Sequence, residues 1–180
     1  MSRRLLSLRG NFNMVDNALQ ADQQIFSHES NDLTRGWEII SAYVWPKDTR
    51  AEIGSADGQF QACFSLATDT INRAGLTFTD ICDAGDNRQV GWLQAGYQLR
   101  ASAVADFLAN SGNPANPAKF VLDPQTVVTN GLWPNCYSTS DSSTSPAREW
   151  NYMVVLKPKK LAPMVTILQM IKTRGQDVDN

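Results

Sequence analysis

One histidine, His28, is all the imidazole that this 180-residue chain offers. A general base needs a positioning partner and a water-poor pocket. His28 lies between Ser27 and Glu29 in a polar stretch, so it reads as a surface residue. Asp80, Asp83 and Asp86 recur at three-residue spacing. Their oxygens could face calcium, but the fixed loop pattern of a calcium hand is missing. They read as turn formers, as do Asp57, Asp69 and Asp123. The serines from Ser138 to Ser145 have no histidine to activate them. Gly54, Gly58, Gly75, Gly85, Gly91 and Gly96 are scattered singly, which leaves no phosphate-cradling loop. Cys63, Cys82 and Cys136 have neither zinc nor redox spacing, and an odd count argues against a disulfide framework. All three are expected as unpaired thiols, as in a reducing cytosol. The chain is therefore expected to be no enzyme, with no catalytic residues, no cofactor and no metal.

The remaining residues with chemical character are cations and aromatic rings. Arg3, Arg4 and Arg9 form a small basic cluster that could make a weak contact with nucleic acid phosphates. Lys157, Lys159 and Lys160 form a second patch, read as a solvated strand end. Sixteen basic against eighteen acidic residues, a net charge of −2, exclude a strongly cationic nucleic-acid binder. Trp37, Trp45, Trp92, Trp133 and Trp150 each lie in or beside a strand-like run, where large rings serve burial in a core or interface. A sugar-stacking platform is the rival use. No apolar run reaches the ~18–20 residues of a membrane helix, and Leu5–Leu8 is too short for the apolar part of a signal peptide.

Those side chains must be positioned by short strands. Gly36–Trp45 is dense in β-branched and aromatic residues and stops at Pro46. Phe60, Ala62, Phe64 and Leu66 alternate with Gln59, Gln61, Cys63 and Ser65, a strong period of two. Arg88–Leu99 looks extended, and Leu76–Phe78 is a short strand candidate. Lys119–Leu122, Thr126–Thr129 and Leu132–Ser138 follow, the last pair separated by the hairpin signal Asn130-Gly131. In Glu149–Lys157, Trp150, Tyr152, Val154 and Leu156 oppose Asn151, Met153 and Val155. Thr139–Pro146 reads as an exposed loop. Ala101–Asn110 could form a short helix.

The two ends read differently. Residues 1–35 are polar and are expected as an N-terminal arm, with a weak helix from Val15 to Phe26. Residues 161–180 hold a C-terminal helix and tail. Pro163 suits a first turn, Met164, Ile167, Leu168 and Ile171 follow at amphipathic spacing, and Gly175 is placed to end it. Residues 36–160 between them are expected to be all-β: an antiparallel β-sandwich, jelly-roll-like, since strands do not alternate with helices.

This layout resembles the small single-jelly-roll coat proteins of simple icosahedral viruses. The carrying features are Gly36–Trp45 as a first core strand, Phe120–Tyr137 with its Asn130-Gly131 turn, and Glu149–Leu156 as a last core strand. Trp150–Leu156 followed by Ile167–Lys172 is also similar to the ends of structural proteins in environmental viral sequences. Such coats often carry a strongly basic arm. Here Arg3, Arg4, Arg9 and Arg35 are balanced by Asp16, Asp22, Glu29 and Asp32, so the likeness does not extend to genome packaging by the arm.

The resemblance implies a virion structural protein, made in the host cytoplasm, that self-assembles as a symmetric homo-oligomer of many copies. Its expected assembly surfaces are the arm, through Leu5, Leu6 and Phe26, and the tail helix, through Met164, Ile167, Leu168 and Ile171. The alternative is a non-catalytic carbohydrate-binding module of the same sandwich class. A metal-dependent jelly-roll enzyme would need several histidines.

Overall fold

Alternation begins much earlier than the arm reading allows. In Leu6–Val15 the residues Leu6, Leu8, Gly10, Phe12 and Met14 face inward, while Ser7, Arg9, Asn11, Asn13 and Val15 face out. The computed structural model describes residues 5–15, 18–20, 23–28, 34–47, 57–69, 81–100, 107–109, 118–140 and 147–174. In it Leu6–Val15 is strand β1, and it runs antiparallel to β12 (Ala147–Lys160) from Leu6↔Leu156 to Val15↔Ala147. Within the expected arm of residues 1–35, residues 6–15 are thus part of the sandwich. Where a helix was expected from Val15 to Phe26, the described residues Leu19–Gln20 (β2) and Phe26–Ser27 (β3) are instead extended and pair with the strand Gly131–Ser140 (β11). Pro134, which has no N–H to donate, falls between the two pairing stretches.

The other strands are β4 (Arg35–Pro46), β5 (Asp57–Ala67), β6 (Gln89–Arg100), β7 (Phe107–Ala109), β8 (Ala118–Lys119), β9 (Val121–Leu122) and β10 (Val127–Val128). One sheet has the order β1-β12-β4-β10, with β8 also on β4. The second has the order β2-β11-β5-β6-β7, with β3 on β11 and β9 on β6. Counting β2 with β3 and β8 with β10 as single interrupted strands, and leaving the short pieces β7 and β9 on β6 out of the count, gives eight strands in the orders 1-8-3-6 and 2-7-4-5. That is the double Greek key of a jelly roll. Where a helix was expected within Ala101–Asn110, Phe107–Ala109 is instead extended along the open edge of β6. The candidate strand Leu76–Phe78 lies outside the described residues.

The core lies between the sheets. Phe12, Met14, Ala42, Val44, Val128, Trp150, Val154 and Leu156 come from the first sheet, and Ala62, Phe64, Leu66, Val90, Leu132 and Cys136 from the second. Phe64 is the hub. Its ring meets Trp150 at 5.0 Å, Phe12 at 6.0 Å and Phe120 at 6.5 Å, all edge to face, an arrangement the ring quadrupoles favour. The inward face of β4 changes partway. Val155 pairs Ser41 and Leu156 pairs Ile39, so Ile40 is an extra residue. This bulge turns Trp37 and Ile39, then Ala42 and Val44, toward the same core. A strict alternation through Gly36–Trp45 would put the two pairs on opposite faces.

Both faces of β5 are covered. Ala62, Phe64 and Leu66 face the core, and Cys63, Ser65 and Ala67 are buried on the outer side. The segment around Ile81 and Cys82 lies over that outer face, held by a Cys63–Cys82 disulfide with a Cα–Cα distance of 6.6 Å. This corrects the expectation of three free thiols; among the three, Cys136 alone is free, and it is buried. Sequence spacing could not reveal the pair because the bond closes a 19-residue separation through the sheet surface.

Candidate assembly surface

The helix α1 spans Pro163–Arg174. Pro163 has no N–H to leave unsatisfied in the first turn, and the amides of Val165 and Thr166 donate to the Ala162 carbonyl at 2.9 and 3.2 Å. What α1 turns toward the sandwich is mostly polar, Thr166 and Gln169 with the half-buried Met170 beside them. Thr166 is 1% exposed, and Gln169 Nε2 donates to the Gln125 carbonyl at 3.5 Å, in the turn before β10. What it turns to water is apolar: Met164 is 75% exposed, Leu168 60% and Ile171 59%, with Val165 and Ile167 also exposed. A surface helix of a self-contained domain has the opposite orientation, apolar side in.

Beside the start of α1, where β4 begins and β12 ends, a cleft of about 490 Å³ is lined by His28, Arg35, Gly36, Trp37, Pro158, Lys159 and Lys160. The pairing of Lys160 with Arg35, Lys159 with Gly36 and Pro158 with Trp37 sets cations from two adjacent strands at one rim. Aromatic rings build its wall: Phe26 stacks on His28 at 6.2 Å and meets Trp37 edge-on at 5.5 Å, and His28 meets Trp37 at 6.0 Å. His28 is therefore half-buried and packed, in contrast to the surface position expected of it. Its amide donates to the Asn130 carbonyl at 2.6 Å.

The expected assembly residues separate into two groups. Met164, Ile167, Leu168 and Ile171 share the exposed face of α1. Leu6 and Phe26, also expected at the assembly surface, are half-buried and pack against the chain's own core; Leu5, just outside β1, is exposed. Arg3 and Arg4 lie outside the described residues. Arg9 is on the outer face of β1, and its Nε donates to Ser7 Oγ at 3.3 Å. The cleft was not expected, since its lining comes from segments more than a hundred residues apart. The one available signal was Lys157, Lys159 and Lys160 at the end of a strand.

Asp83 and Asp86 hold the turn before β6. Asp83 Oδ1 accepts from the Gly85 amide at 2.7 Å, and Trp92 Nε1 donates to the Asp83 carbonyl at 3.3 Å. Burial pushes the Asp86 carboxyl upward, but hydrogen bonds and charge from Arg88, at 2.9–3.0 Å, outweigh it and hold the group below its ordinary value. Burial also raises the Cys136 thiol and the Tyr152 phenol. No group of three metal-ligating side chains comes together among the described residues. None of the five tryptophans is exposed, and Trp133 and Trp150 are buried.

With this geometry in view, the chain can be compared with known proteins. No family model matches it, and no curated protein does. Solved structures do match. The chain is similar to one from Desmodium yellow mottle tymovirus, with a TM-score of 0.33 and 14% identity, covering 90% of this chain and 86% of that one. It is also similar to Merkel cell polyomavirus VP1, solved in complex with disialyllactose, with a TM-score of 0.30 and 12% identity, covering 86% and 78%. No helix among the described residues is long and apolar enough to cross a membrane.

Proposed function

We propose that this chain is a virion structural protein, a coat subunit that self-assembles through the outer face of α1. The observation that carries this reading is the inverted helix: Thr166, Gln169 and Met170 turn toward the sandwich while Met164, Ile167, Leu168 and Ile171 face water. Such a face is costly alone and stabilising once covered, by ~1.5–3 kcal/mol for each large apolar side chain fully buried. Copies of one chain in closed symmetry supply that cover without a second protein. The described carboxylates and the disulfide support a rigid building block in place of a reacting centre. Their partners are turn amides, a neighbouring arginine and a sheet surface. A glycan-stacking module would present open indole rings, and the five rings here are packed or half-packed.

The test is the particle mass of the full chain by light scattering at moderate salt, beside Leu168→Asp/Ile171→Asp. The expected result is a large assembly for the parent and a folded, small species for the variant. A parent that stays monomeric at tens of micromolar, an association weaker than ~6 kcal/mol, overturns the proposal.

A further inference from the structure

The geometry points to a specific occupant for the cleft at the β4–β12 end: the acidic segment Gly175–Asn180 of a second copy of this chain. This rests on the self-assembly reading and names its complementary surface. The cleft presents Lys159 and Lys160, both exposed, with Arg35 at the same rim. Its lining also includes the apolar Trp37 and Pro158. His28 Nε2 is buried at its wall without a hydrogen-bond partner among the described residues. The site therefore suits a short peptide with negative charges, an apolar side chain and backbone carbonyls or amides to meet the imidazole.

The sequence supplies one such segment. Asp177 and Asp179 stand two residues apart, the closest-spaced acidic pair in the chain, with Val178 between them and no Lys or Arg from Gly175 to Asn180. Other carboxylates among the described residues are already engaged. Glu38 accepts from Lys157, Asp83 from the Gly85 amide, Asp86 from Arg88, Asp123 from Thr126 and the Gln125 amide, and Glu149 from Lys47.

Continuity with the apolar face of α1 favours a neighbour's cleft. The 12 residues of α1 lead ~18 Å away from the cleft beside their start, and the approach of a neighbouring copy would cover the exposed Met164, Leu168 and Ile171 in the same contact.

The test is a charge exchange in the full chain. Asp177→Lys/Asp179→Lys makes tail and cleft both basic; Lys159→Glu/Lys160→Glu makes both acidic. Each variant alone is expected to self-associate about ten-fold more weakly than the parent in sedimentation velocity, with an unchanged circular dichroism spectrum. Mixing the two is expected to restore association, because each tail then meets a cleft of opposite charge on the other chain. Recovery only when all four substitutions sit in one chain, without recovery on mixing, would place the tail in its own cleft and overturn the inference. Unchanged association of both variants, in a parent that assembles, overturns it too and leaves the self-assembly reading standing. A cleft that binds a nucleotide equally well in the parent and the tail variant, with association unmoved, overturns it in the same way. A parent that does not assemble removes both.

Discussion

Strand β1 and helix α1 make an instructive pair. Each is a short element carrying four large apolar side chains on one face: Leu6, Leu8, Phe12 and Met14 in β1, and Met164, Ile167, Leu168 and Ile171 in α1. Yet the first face is spent on the chain's own core and the second stands in water. The difference begins with the backbone. A strand has unpaired N–H and C=O groups that must find a ladder, and β12 offers a ten-residue partner from Ala147 to Leu156. Once paired there, the inward side chains of β1 fall opposite Phe64. A helix satisfies its own backbone apart from its ends. It needs only a few side-chain contacts to dock, and Thr166 and Gln169 provide them. An apolar stripe near one end of a chain therefore does not say by itself whether it is core or contact.

The comparison can be broken most forcefully by truncation. Removing residues 1–15 takes away β1 and exposes the edge of β12 with Trp150 and Val154, so the cooperative urea transition is expected to disappear. Removing residues 163–180 is expected to keep that transition while the large assembly is lost in sedimentation. Unchanged particles from the second truncation would erase the contrast. At the level of one side chain, Phe12→Ala is expected to cost about 3–5 kcal/mol in urea unfolding, because a buried ring leaves a cavity beside Phe64. A loss below about 1 kcal/mol would mean that β1 is peripheral after all.

Gly10 sharpens the same point. It occupies an inward position of β1, and a Cβ there would lie 2.5 Å from the Tyr152 hydroxyl and 2.8 Å from its ring. Gly10→Val is expected to destabilise by about 1–3 kcal/mol through this overlap, and pairing it with Tyr152→Ala should recover part of the loss. The smallest effect on folding belongs to α1. Leu168→Asp replaces an exposed side chain, so unfolding stability should stay within about 0.5 kcal/mol of the parent, even as association falls. A marked drop in stability would show that this face is buried within the chain.

Much of the β architecture was legible from local pattern. The alternation of Phe60–Leu66 and Trp150–Leu156 and the turn at Asn130-Gly131 correspond to β5, β12 and the start of β11. The same period of two is present in Leu6–Met14. It was masked by the asparagines and arginine on the outer face and by Gly10, where an apolar residue would complete the stripe. Ile40 misleads in the opposite direction, since a bulge inserts one residue and reverses the face. For the candidate site, the apolar spacing of α1 was legible and the cleft was not: His28, Trp37 and Pro158 are neighbours through pairing and sheet packing alone.

Taken alone, the sequence determined that this is a mainly β chain with an amphipathic helix after the last strand. Period two, β-branched and aromatic content and turn residues are local properties of neighbouring amino acids. The tertiary structure decided which strand fills the edge of β12, which side of α1 meets water, that Cys63 and Cys82 are joined, and that three cations gather at one rim. Each of these depends on contacts between segments far apart in the chain. Such contacts form only where the whole set of side chains packs together, and no window of neighbouring residues encodes them.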